Sequence, residues 1–295
     1  MDTASANDET ILGNDSLLGR DRPVAVITGA SSGLGEEYAW QLAAAGYDLL
    51  LVARRETVLQ KLQAAIEATY GIRSEPFRCN LAIPSDLARL EERIARIAAL
   101  EFMVNNAGFG FDSAFPNVDI EQQCTMVQVH CIATLRLSQA ALRIMCARRK
   151  GYLINVSSIA AMTFGTSVAQ YCATKAYVLS LSRSLWGDAK PYGVNVQALC
   201  PGFVHTGFHA TETMKGFDKS KMPGFLWLTS RYVVRKSLAA VRKKNCRDVS
   251  IPSLRYKLLA LLFRMPFSSI LIRALYAKRD AARKSETPLA PEQTV

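Results

Sequence analysis

Short apolar runs alternate with longer amphipathic stretches along most of the chain. The apolar runs have the length of strands and lie at residues 24–28, 48–53, 74–79, 101–105, 152–157 and 194–199. Between them, apolar residues recur every three or four positions, as in helices packed on one side, at residues 36–45, 56–70, 86–100, 121–149 and 169–190. Such alternation predicts an α/β protein with a doubly wound parallel sheet of six to seven strands. A helix at 231–243 and a run at 249–251 would complete the sheet.

A glycine-rich segment, T-G-A-S-S-G-L-G at residues 28–35, lies between the first predicted strand and the first predicted helix. Glycines there let the backbone turn tightly and approach a pyrophosphate, whose charge the N-terminus of the following helix can meet. A plain glycine-rich turn is the alternative, but the position directly after a strand favours a dinucleotide site. The candidate residues of this site are Gly29, Ser31, Ser32, Gly33, Leu34 and Gly35.

The second predicted strand ends in V-A-R-R, and no acid follows until Glu56. An acidic side chain near this position would bind the adenosine ribose hydroxyls of NAD. Arg54 and Arg55 suit a 2′-phosphate instead, through bidentate charge-assisted contacts and stacking on adenine. The sequence therefore favours NADPH/NADP+ over NAD, with two solvated arginines at the start of a helix as the alternative.

A phenol and an ammonium lie four residues apart in Y-C-A-T-K, where Tyr171 and Lys175 would share one face of a helix. At its usual pKa of about 10, a tyrosine is a poor proton donor and acceptor near neutrality. A nearby lysine cation favours the phenolate, so we expect it to shift the tyrosine pKa toward the working pH. Ser158, at the end of a predicted strand upstream, is well placed to hydrogen-bond a carbonyl oxygen.

Four separated motifs resemble those of the short-chain dehydrogenase/reductase family: the glycine-rich segment, N-N-A-G at residues 105–108, the spacing of Ser158, Tyr171 and Lys175, and P-G-F-V-H-T at residues 201–206. The resemblance runs from about residue 24 to residue 253. It implies that Tyr171 is the general acid in reduction, that Ser158 polarises the substrate carbonyl, and that Lys175 lowers the tyrosine pKa and binds the nicotinamide ribose. Further implied cofactor contacts come from Asn106, Ala107, Gly108, Pro201, Gly202, Val204 and Thr206, besides Tyr171 and Lys175 themselves.

The chain departs from the family pattern at two positions. Where the family usually has an asparagine that supports a water-mediated proton relay to the lysine, this chain has His130. An imidazole can also donate and accept, so His130 either takes part in catalysis through the relay or fills the same polar position structurally. After the third strand, Asn80 replaces the acid that the family often has, with Leu81 beside it, and its amide can still hydrogen-bond adenine.

Cysteines and histidines limit the function further. Seven cysteines are scattered without a C-x-x-C pair, which fits free thiols in a reducing compartment, and residues 1–22 lack the apolar core of a secretory signal. We therefore expect a cytoplasmic protein. His205 and His209 stand four residues apart, but the sequence offers no third ligand, so no metal is predicted.

Basic charge is concentrated near the C-terminus. The chain has 36 lysines and arginines and 25 aspartates and glutamates. Residues 231–284 contain 15 of the basic residues and 2 of the acidic ones, so this segment has a net charge of +13 and the rest of the chain −2. Beyond residue 253 the chain is rich in leucine, yet its longest uncharged piece in the part around Pro266, residues 265–272, has only eight residues. Because a span needs about 20 apolar residues, we predict no transmembrane helix and expect Pro266 to divide two short helices.

Three interpretations of this basic, apolar tail stay open. Its helices can lie on an anionic membrane surface, roof a long apolar pocket whose basic residues attract coenzyme A or an acyl carrier protein, or form a structural cap or subunit contact. The first two are compatible, because a lipid-like substrate is reached from a membrane. Nucleic-acid binding is disfavoured, because aromatic residues for stacking are sparse.

The sequence thus predicts a Rossmann-type domain within three segments: a polar tail at residues 1–22, a dinucleotide-binding catalytic domain at 23–253 with a substrate lid at 207–228, and a basic amphipathic extension at 254–295. The expected activity is NADPH-dependent reduction of a hydrophobic ketone, such as a 3-oxoacyl or other lipid-like compound. An alcohol or hydroxysteroid dehydrogenase and a non-catalytic NADP-binding scaffold are the alternatives. The resemblance also implies a homo-oligomer, a dimer or tetramer, and the tail suggests peripheral binding to the inner face of the membrane.

Overall fold

The computed structural model describes residues 18–165, 168–210, 212–214, 218 and 222–263. Within those residues the strands are β1 (Val24–Thr28), β2 (Asp48–Ala53), β3 (Ser74–Arg78), β4 (Leu100–Asn105), β5 (Gly151–Val156), β6 (Val194–Leu199), β7 (Val204–His205), β8 (Leu228–Thr229) and β9 (Val249–Ser250). Seven of them form one parallel sheet in the order β3-β2-β1-β4-β5-β6-β9, and β7 pairs with β8 in a separate short ladder. The predicted Rossmann-type sheet is confirmed, and the run at 249–251 does extend it.

The helices in the same residues are α1 (Gly33–Ala44), α2 (Glu56–Tyr70), α3 (Pro84–Ala95), α4 (Ile120–Val127), α5 (Ala133–Arg148), α6 (Ala169–Ala189), α7 (Ser230–Val241) and α8 (Leu254–Phe263). The predicted helix at 86–100 is wrong at its C-terminal end, because α3 stops at Ala95 and Leu100 already belongs to β4. The predicted long helix at 121–149 exists but contains a π-helical turn, Gln128–Ile132, between α4 and α5.

Helices cover both faces of the sheet, which explains why its strands read as nearly continuous apolar runs. Every residue of β1, β2 and β4 is buried. Alternate side chains point to opposite faces, so Ala25 and Ile27 pack in one apolar layer, whereas Val24 and Val26 pack in the other. The two layers fix the ends of the strands, from which the candidate residues project.

The strand order reverses at β1, which pairs with β2 on one side and with β4 on the other. At such a reversal the loops leave the carboxyl edge of the sheet in opposite directions and open a crevice, where doubly wound folds bind ligands. The glycine-rich segment follows β1, the two arginines follow β2, and the N-N-A-G segment straddles the end of β4. The fold therefore brings three predicted cofactor segments to one crevice.

Residues that the sequence assigned to the terminal segments pack against the domain. Gly19 N–H donates to Asp48 Oδ2 at 3.2 Å, at the start of β2. In α8, Tyr256 is 1% exposed and belongs to one of the apolar layers. Pro266 and the proposed second helix of the extension lie outside the described residues, as does most of the polar tail.

Candidate active site

The glycine-rich segment makes a tight turn between β1 and α1, in which two of its glycines lie very close to other groups. Gly29 has a φ of +67°, and a Cβ there would lie 2.8 Å from Asn106 Nδ2. A Cβ at Gly35 would lie 2.2 Å from the Gly29 carbonyl oxygen. Neither position can take a side chain, so the turn keeps its bare backbone next to the N-terminus of α1. This arrangement fits a pyrophosphate.

A hydroxyl that the sequence analysis did not single out ties this turn to the next loop. Thr28 Oγ1 accepts hydrogen bonds from the backbone N–H groups of Asn106 and Ala107 at 3.0 and 3.1 Å. In return, Asn106 Nδ2 donates to the Thr28 carbonyl oxygen at 3.0 Å. The sequence could have indicated Thr28, because it is the first residue of the glycine-rich motif. The glycine turn and the N-N-A-G loop therefore form one wall of the crevice.

Both arginines after β2 are exposed, and Arg55 contacts the glycine turn. Arg55 Nη2 donates to the Ser31 carbonyl oxygen at 3.0 Å and to Ser31 Oγ at 2.9 Å. Arg54 precedes it at the end of β2 and is exposed. One hydroxyl and two guanidinium groups are a donor set that suits a phosphate monoester.

The residues after β3 are held by their own loop. Asn80 N–H donates to Asp86 Oδ2 at 2.8 Å, and Asn80 Oδ1 accepts from Ala82 N–H at 3.2 Å. Leu81 is buried in the apolar layer below. The Asn80 side-chain carbonyl and the Asp86 carboxylate thus both stabilise this turn.

Ser158, Tyr171 and Lys175 converge beside the crevice. Ser158 lies just past the end of β5, and α6 presents Tyr171 and Lys175 one turn apart. The Ser158 side chain lies close enough to the Tyr171 hydroxyl to lower its pKa. Lys175 Nζ lies 5.7 Å from the centre of the Tyr171 ring and donates to the Val156 carbonyl oxygen at 2.9 Å. The three side chains that the sequence spacing proposed as a site therefore lie close together in the structure.

Burial controls the proton affinities of this pair. It raises the pKa of Tyr171 to about 12, and the neighbouring Ser158 hydroxyl opposes this only in part. Burial also lowers the pKa of Lys175 to about 8, because the ammonium is poorly solvated there. The expected downward shift of the Tyr171 pKa is wrong, since desolvation outweighs the lowering by Ser158. The phenol therefore keeps its proton at neutral pH.

His130 lies in the π-helical turn and is 1% exposed. Its Nε2 accepts a hydrogen bond from Phe109 N–H at 3.0 Å, so the proton of the neutral ring is on Nδ1, which lies 2.9 Å from Thr174 Oγ1. Burial lowers the pKa of His130 well below its usual value, and the charge of Lys175 lowers it further. Because both ring nitrogens of a neutral imidazole have partners, the geometry favours the structural role over a relay through this side chain.

The P-G-F-V-H-T segment connects the serine to the glycine turn. The Pro201 carbonyl oxygen accepts a hydrogen bond from Ile159 N–H at 2.9 Å, next to Ser158. At the other end, a Cβ added to Gly33 would lie 3.1 Å from the Thr206 side chain. Gly202 and Val204 lie between these two contacts, and Val204 is buried in β7. The segment closes the crevice on the side opposite the N-N-A-G loop.

A sequence model described as short chain dehydrogenase matches residues 23–215, well over half of the chain. The chain belongs to the short-chain dehydrogenase/reductase family. It is therefore an oxidoreductase by family, and the resemblance drawn from the four motifs is confirmed.

Two curated reductases and one solved structure illustrate the family relationship. The chain is 28% identical over 239 residues to the very-long-chain 3-oxoacyl-CoA reductase of Phaeosphaeria nodorum, which covers 79% of this chain and 67% of that protein. It is 30% identical over 201 residues to very-long-chain 3-oxoacyl-CoA reductase-A of Danio rerio, which covers 66% and 63%. A short-chain dehydrogenase from Sphingobium yanoikuyae in complex with NADPH has a TM-score of 0.73 at 27% identity and covers 92% and 99%. The chain thus spans about two thirds of the length of these reductases.

Aromatic side chains lie around Tyr171 in this short-chain dehydrogenase. Phe208, in the predicted lid, has its ring centre 5.9 Å from that of Tyr171. A Cβ at Gly110 would lie 3.1 Å from Phe208 Cζ and 3.3 Å from Met214 Sδ, so the lid residues cover the loop that follows N-N-A-G. A hollow beside Tyr171 is lined by apolar Phe111, Phe115, Val118 and Val168 and by polar Ser113, Gln123 and Gln170. The described part of the predicted lid therefore lies beside Tyr171.

The sequence analysis missed a buried polar ladder behind these residues. Asn105 Nδ2 donates to Asn155 Oδ1 at 2.8 Å, and Asn155 Nδ2 donates to Ser182 Oγ at 3.0 Å, which links β4, β5 and α6. Ser157 Oγ donates to the Lys175 carbonyl oxygen at 2.7 Å. Asparagines inside apolar strands were the available signal, because a buried amide needs partners. The ladder holds β5 and α6 together, and with them the residues they present.

Neither a metal cluster nor a spanning helix occurs in the part of the chain that the structure describes. There, no group of three His, Cys, Asp or Glu side chains is arranged to hold a metal ion. His205 stacks on Trp227 with ring centres 5.0 Å apart, and the His209 side chain is outside the described residues. In the same part, every helix is too short or too polar to cross a bilayer.

Proposed function

We propose that the chain is an NADPH-dependent reductase of hydrophobic ketones, with Tyr171 as the proton donor. The observation that carries this proposal is the Tyr171 phenol, which lies beside Ser158 and Lys175 at an aromatic cleft. Ser158 would hydrogen-bond the substrate carbonyl oxygen, and Tyr171 would deliver a proton to it. At neutral pH the phenol carries the proton that reduction consumes.

The crevice at the end of β1 has the donors that NADPH needs. When bound, this cofactor supplies the hydride that reduces the carbonyl carbon. The glycine turn would hold the pyrophosphate, and Ser31, Arg54 and Arg55 would bind the 2′-phosphate. Lys175 would bind the nicotinamide ribose, and residues 201–206 the carboxamide. The NADPH complex of the Sphingobium yanoikuyae relative supports this choice of cofactor.

A 3-oxoacyl thioester is the substrate class that we propose. The aromatic and aliphatic side chains around Tyr171 suit an acyl chain. The two curated relatives are named as very-long-chain 3-oxoacyl-CoA reductases, which supports a coenzyme A ester over other ketones.

Catalytic efficiency is expected to rise with the length of the acyl chain. Each methylene that enters an apolar cleft contributes up to about 0.8 kcal/mol, or about fourfold in kcat/KM. The measurement is NADPH oxidation with 3-oxoacyl-CoA esters of increasing chain length, alongside a short ketone without coenzyme A. Equal kcat/KM values across the series would contradict an acyl substrate.

We also propose that α8 places the enzyme on an anionic membrane surface. Leu254, Leu258 and Leu261 are 72%, 60% and 60% exposed, and their spacing puts them on one face of the helix. Arg255 and Lys257 are exposed beside them. Leucines that enter the acyl region with cations at the headgroups are the pattern of an interfacial helix. A homo-oligomer stays a prediction from the family resemblance.

The double variant Leu258→Ser with Leu261→Ser is expected to bind vesicles of phosphatidylserine and phosphatidylcholine at least about tenfold more weakly. Burying each leucine contributes about 1.5–3 kcal/mol, so losing two removes most of the insertion energy. Co-sedimentation of the full chain with vesicles measures this. Ile83→Ser, at a 44% exposed position before α3, is the matched control and should bind as the unaltered chain does. Equal binding by all three proteins would exclude α8 as the contact.

A further inference from the structure

One side chain of α8 reaches the loop that we assign to the nicotinamide. The Tyr256 ring covers Gly202 so closely that a Cβ there would lie 1.8 Å from Tyr256 Cζ. Its hydroxyl accepts a hydrogen bond from Phe203 N–H at 3.0 Å and donates one to the Leu226 carbonyl oxygen at 2.7 Å. Tyr256 is thus buried between the loop after β6 and the end of the lid.

This hydroxyl bridges two segments that also contact each other directly. Leu228 N–H donates to the Phe203 carbonyl oxygen at 2.9 Å, and β7 pairs with β8 immediately beyond. The Phe203 and Trp227 rings pack with their centres 5.4 Å apart. The backbone of Phe203 is therefore fixed on both sides, its N–H by α8 and its carbonyl by the lid. Of these two anchors, the one from α8 depends on a single hydroxyl.

We propose that Tyr256 is a positioning residue for nicotinamide binding, so that the C-terminal extension is part of the cofactor site. The proposal rests on the dinucleotide site proposed above. Without the Tyr256 hydroxyl, the Phe203 N–H and the Leu226 carbonyl lose a shared partner, and the loop populates its binding-competent conformation less often. The apparent affinity for a ligand that needs this conformation falls by the same fraction. A ligand that binds only the adenosine half of the crevice is unaffected.

The test is the binding of NADPH and of 2′,5′-ADP to the full-length Tyr256→Phe variant, measured by calorimetry. The phenyl ring keeps the packing on Gly202 and removes only the hydroxyl. NADPH, which reaches the nicotinamide loop, is expected to bind about five- to tenfold more weakly, since a lost hydrogen bond contributes about this much. The Kd of 2′,5′-ADP, which carries the adenosine and its 2′-phosphate alone, should stay within about twofold.

Tyr232→Phe is the matched control. The Tyr232 hydroxyl donates to the Pro252 carbonyl oxygen at 3.1 Å, so it ties α7 to the segment just before α8. This variant should bind both ligands as the unaltered chain does. If NADPH binding weakens equally in both tyrosine variants, the proposal is wrong, because the loss of any hydrogen bond near α8 would then have the same effect. Equal weakening of NADPH and 2′,5′-ADP in Tyr256→Phe would contradict it too, as a general loss of structure.

A second pair of variants tests the contact without relying on the hydroxyl. Gly202→Ala places a methyl group where the Tyr256 ring lies, so as a single substitution it should weaken NADPH binding. In a Tyr256→Ala background the methyl has room, so Gly202→Ala should raise the Kd for NADPH by less than about twofold. If the effects of the two substitutions on the free energy of NADPH binding are fully additive, the proposed role of this contact is wrong. If the unaltered chain binds neither ligand, the proposed function fails together with this inference. If the unaltered chain binds both ligands and Tyr256→Phe does not weaken NADPH binding more than 2′,5′-ADP binding, this inference fails and the proposed function stands.

Discussion

Tyr171→Phe is expected to lower kcat for ketone reduction by about 10²- to 10⁴-fold, which is the range that a general acid contributes. The phenyl ring keeps the contacts with Phe208 and His130, whose ring centres lie 5.9 and 6.0 Å away. It has no proton to give and no hydroxyl to pair with Ser158. NADPH binding should therefore stay within a few-fold, because the other cofactor contacts are intact. Single-turnover NADPH oxidation gives the rate, and fluorescence titration gives the Kd.

The control for this loss is Tyr177→Phe. Tyr177 lies on the same helix but is 38% exposed, so its hydroxyl has no part in the proposed chemistry. This variant should retain the kcat of the unaltered chain. A Tyr171→Phe enzyme with nearly full turnover would show that another group supplies the proton. Intact function in cells without turnover would instead support the NADP-binding scaffold.

The sheet and most helices could be predicted because burial on both faces leaves a strong apolar pattern. The end of α3 could not. Ile97 and Leu100 continue the helical spacing of apolar residues, and both are buried. Their N–H groups, however, bond the carbonyl oxygens of Ile94 and Ile97, three residues back, so the chain turns tightly and enters β4. The periodicity reports which side chains are buried, not which backbone bonds they make.

The spacing of Ser158, Tyr171 and Lys175 was enough to predict that these side chains meet, but not their proton affinities. A lysine charge and burial act on the phenol in opposite directions, and the balance depends on depth, which the sequence does not give. His130 is a similar case. Its tautomer follows from the Phe109 N–H that donates to Nε2, and that contact depends on the π-helical turn.

Tyr256 shows where the apolar pattern misleads. In a leucine-rich stretch, leucines are expected to be buried and a tyrosine to lie at the surface. In α8 the reverse holds, because Tyr256 and Ala260 face the domain while Leu254, Leu258 and Leu261 face outward. The bare backbone of Gly202 offers a place for a ring, and two backbone groups offer partners for its hydroxyl. Neither feature is visible until the loop after β6 has folded.

Lys175→Met is expected to lower kcat/KM for NADPH by about a hundredfold near neutrality and to abolish its fall at high pH. Because burial lowers the pKa of Lys175 to about 8, the ammonium is present below that pH and is lost as the pH rises through it. If the ammonium binds the ribose and supports Tyr171, kcat/KM of the unaltered enzyme falls about tenfold per pH unit above about 8. Methionine has nearly the same length, carries no charge and suits a buried site, so the variant should fold.

The high-pH limb distinguishes this role from a structural one. A lysine that only fills space would leave the pH profile of the methionine variant parallel to that of the unaltered enzyme, whereas loss of the titrating group makes it flat. Lys190→Met, at the end of the same helix with its Nζ over the Trp186 ring, is the control and should keep both the rate and the limb. Tyr171 cannot produce a limb near pH 8, since its pKa is about 12, and His130 titrates well below its usual value. A limb that persists in Lys175→Met would therefore assign the titration to a group outside this pair, and would remove the ammonium from the proposed mechanism.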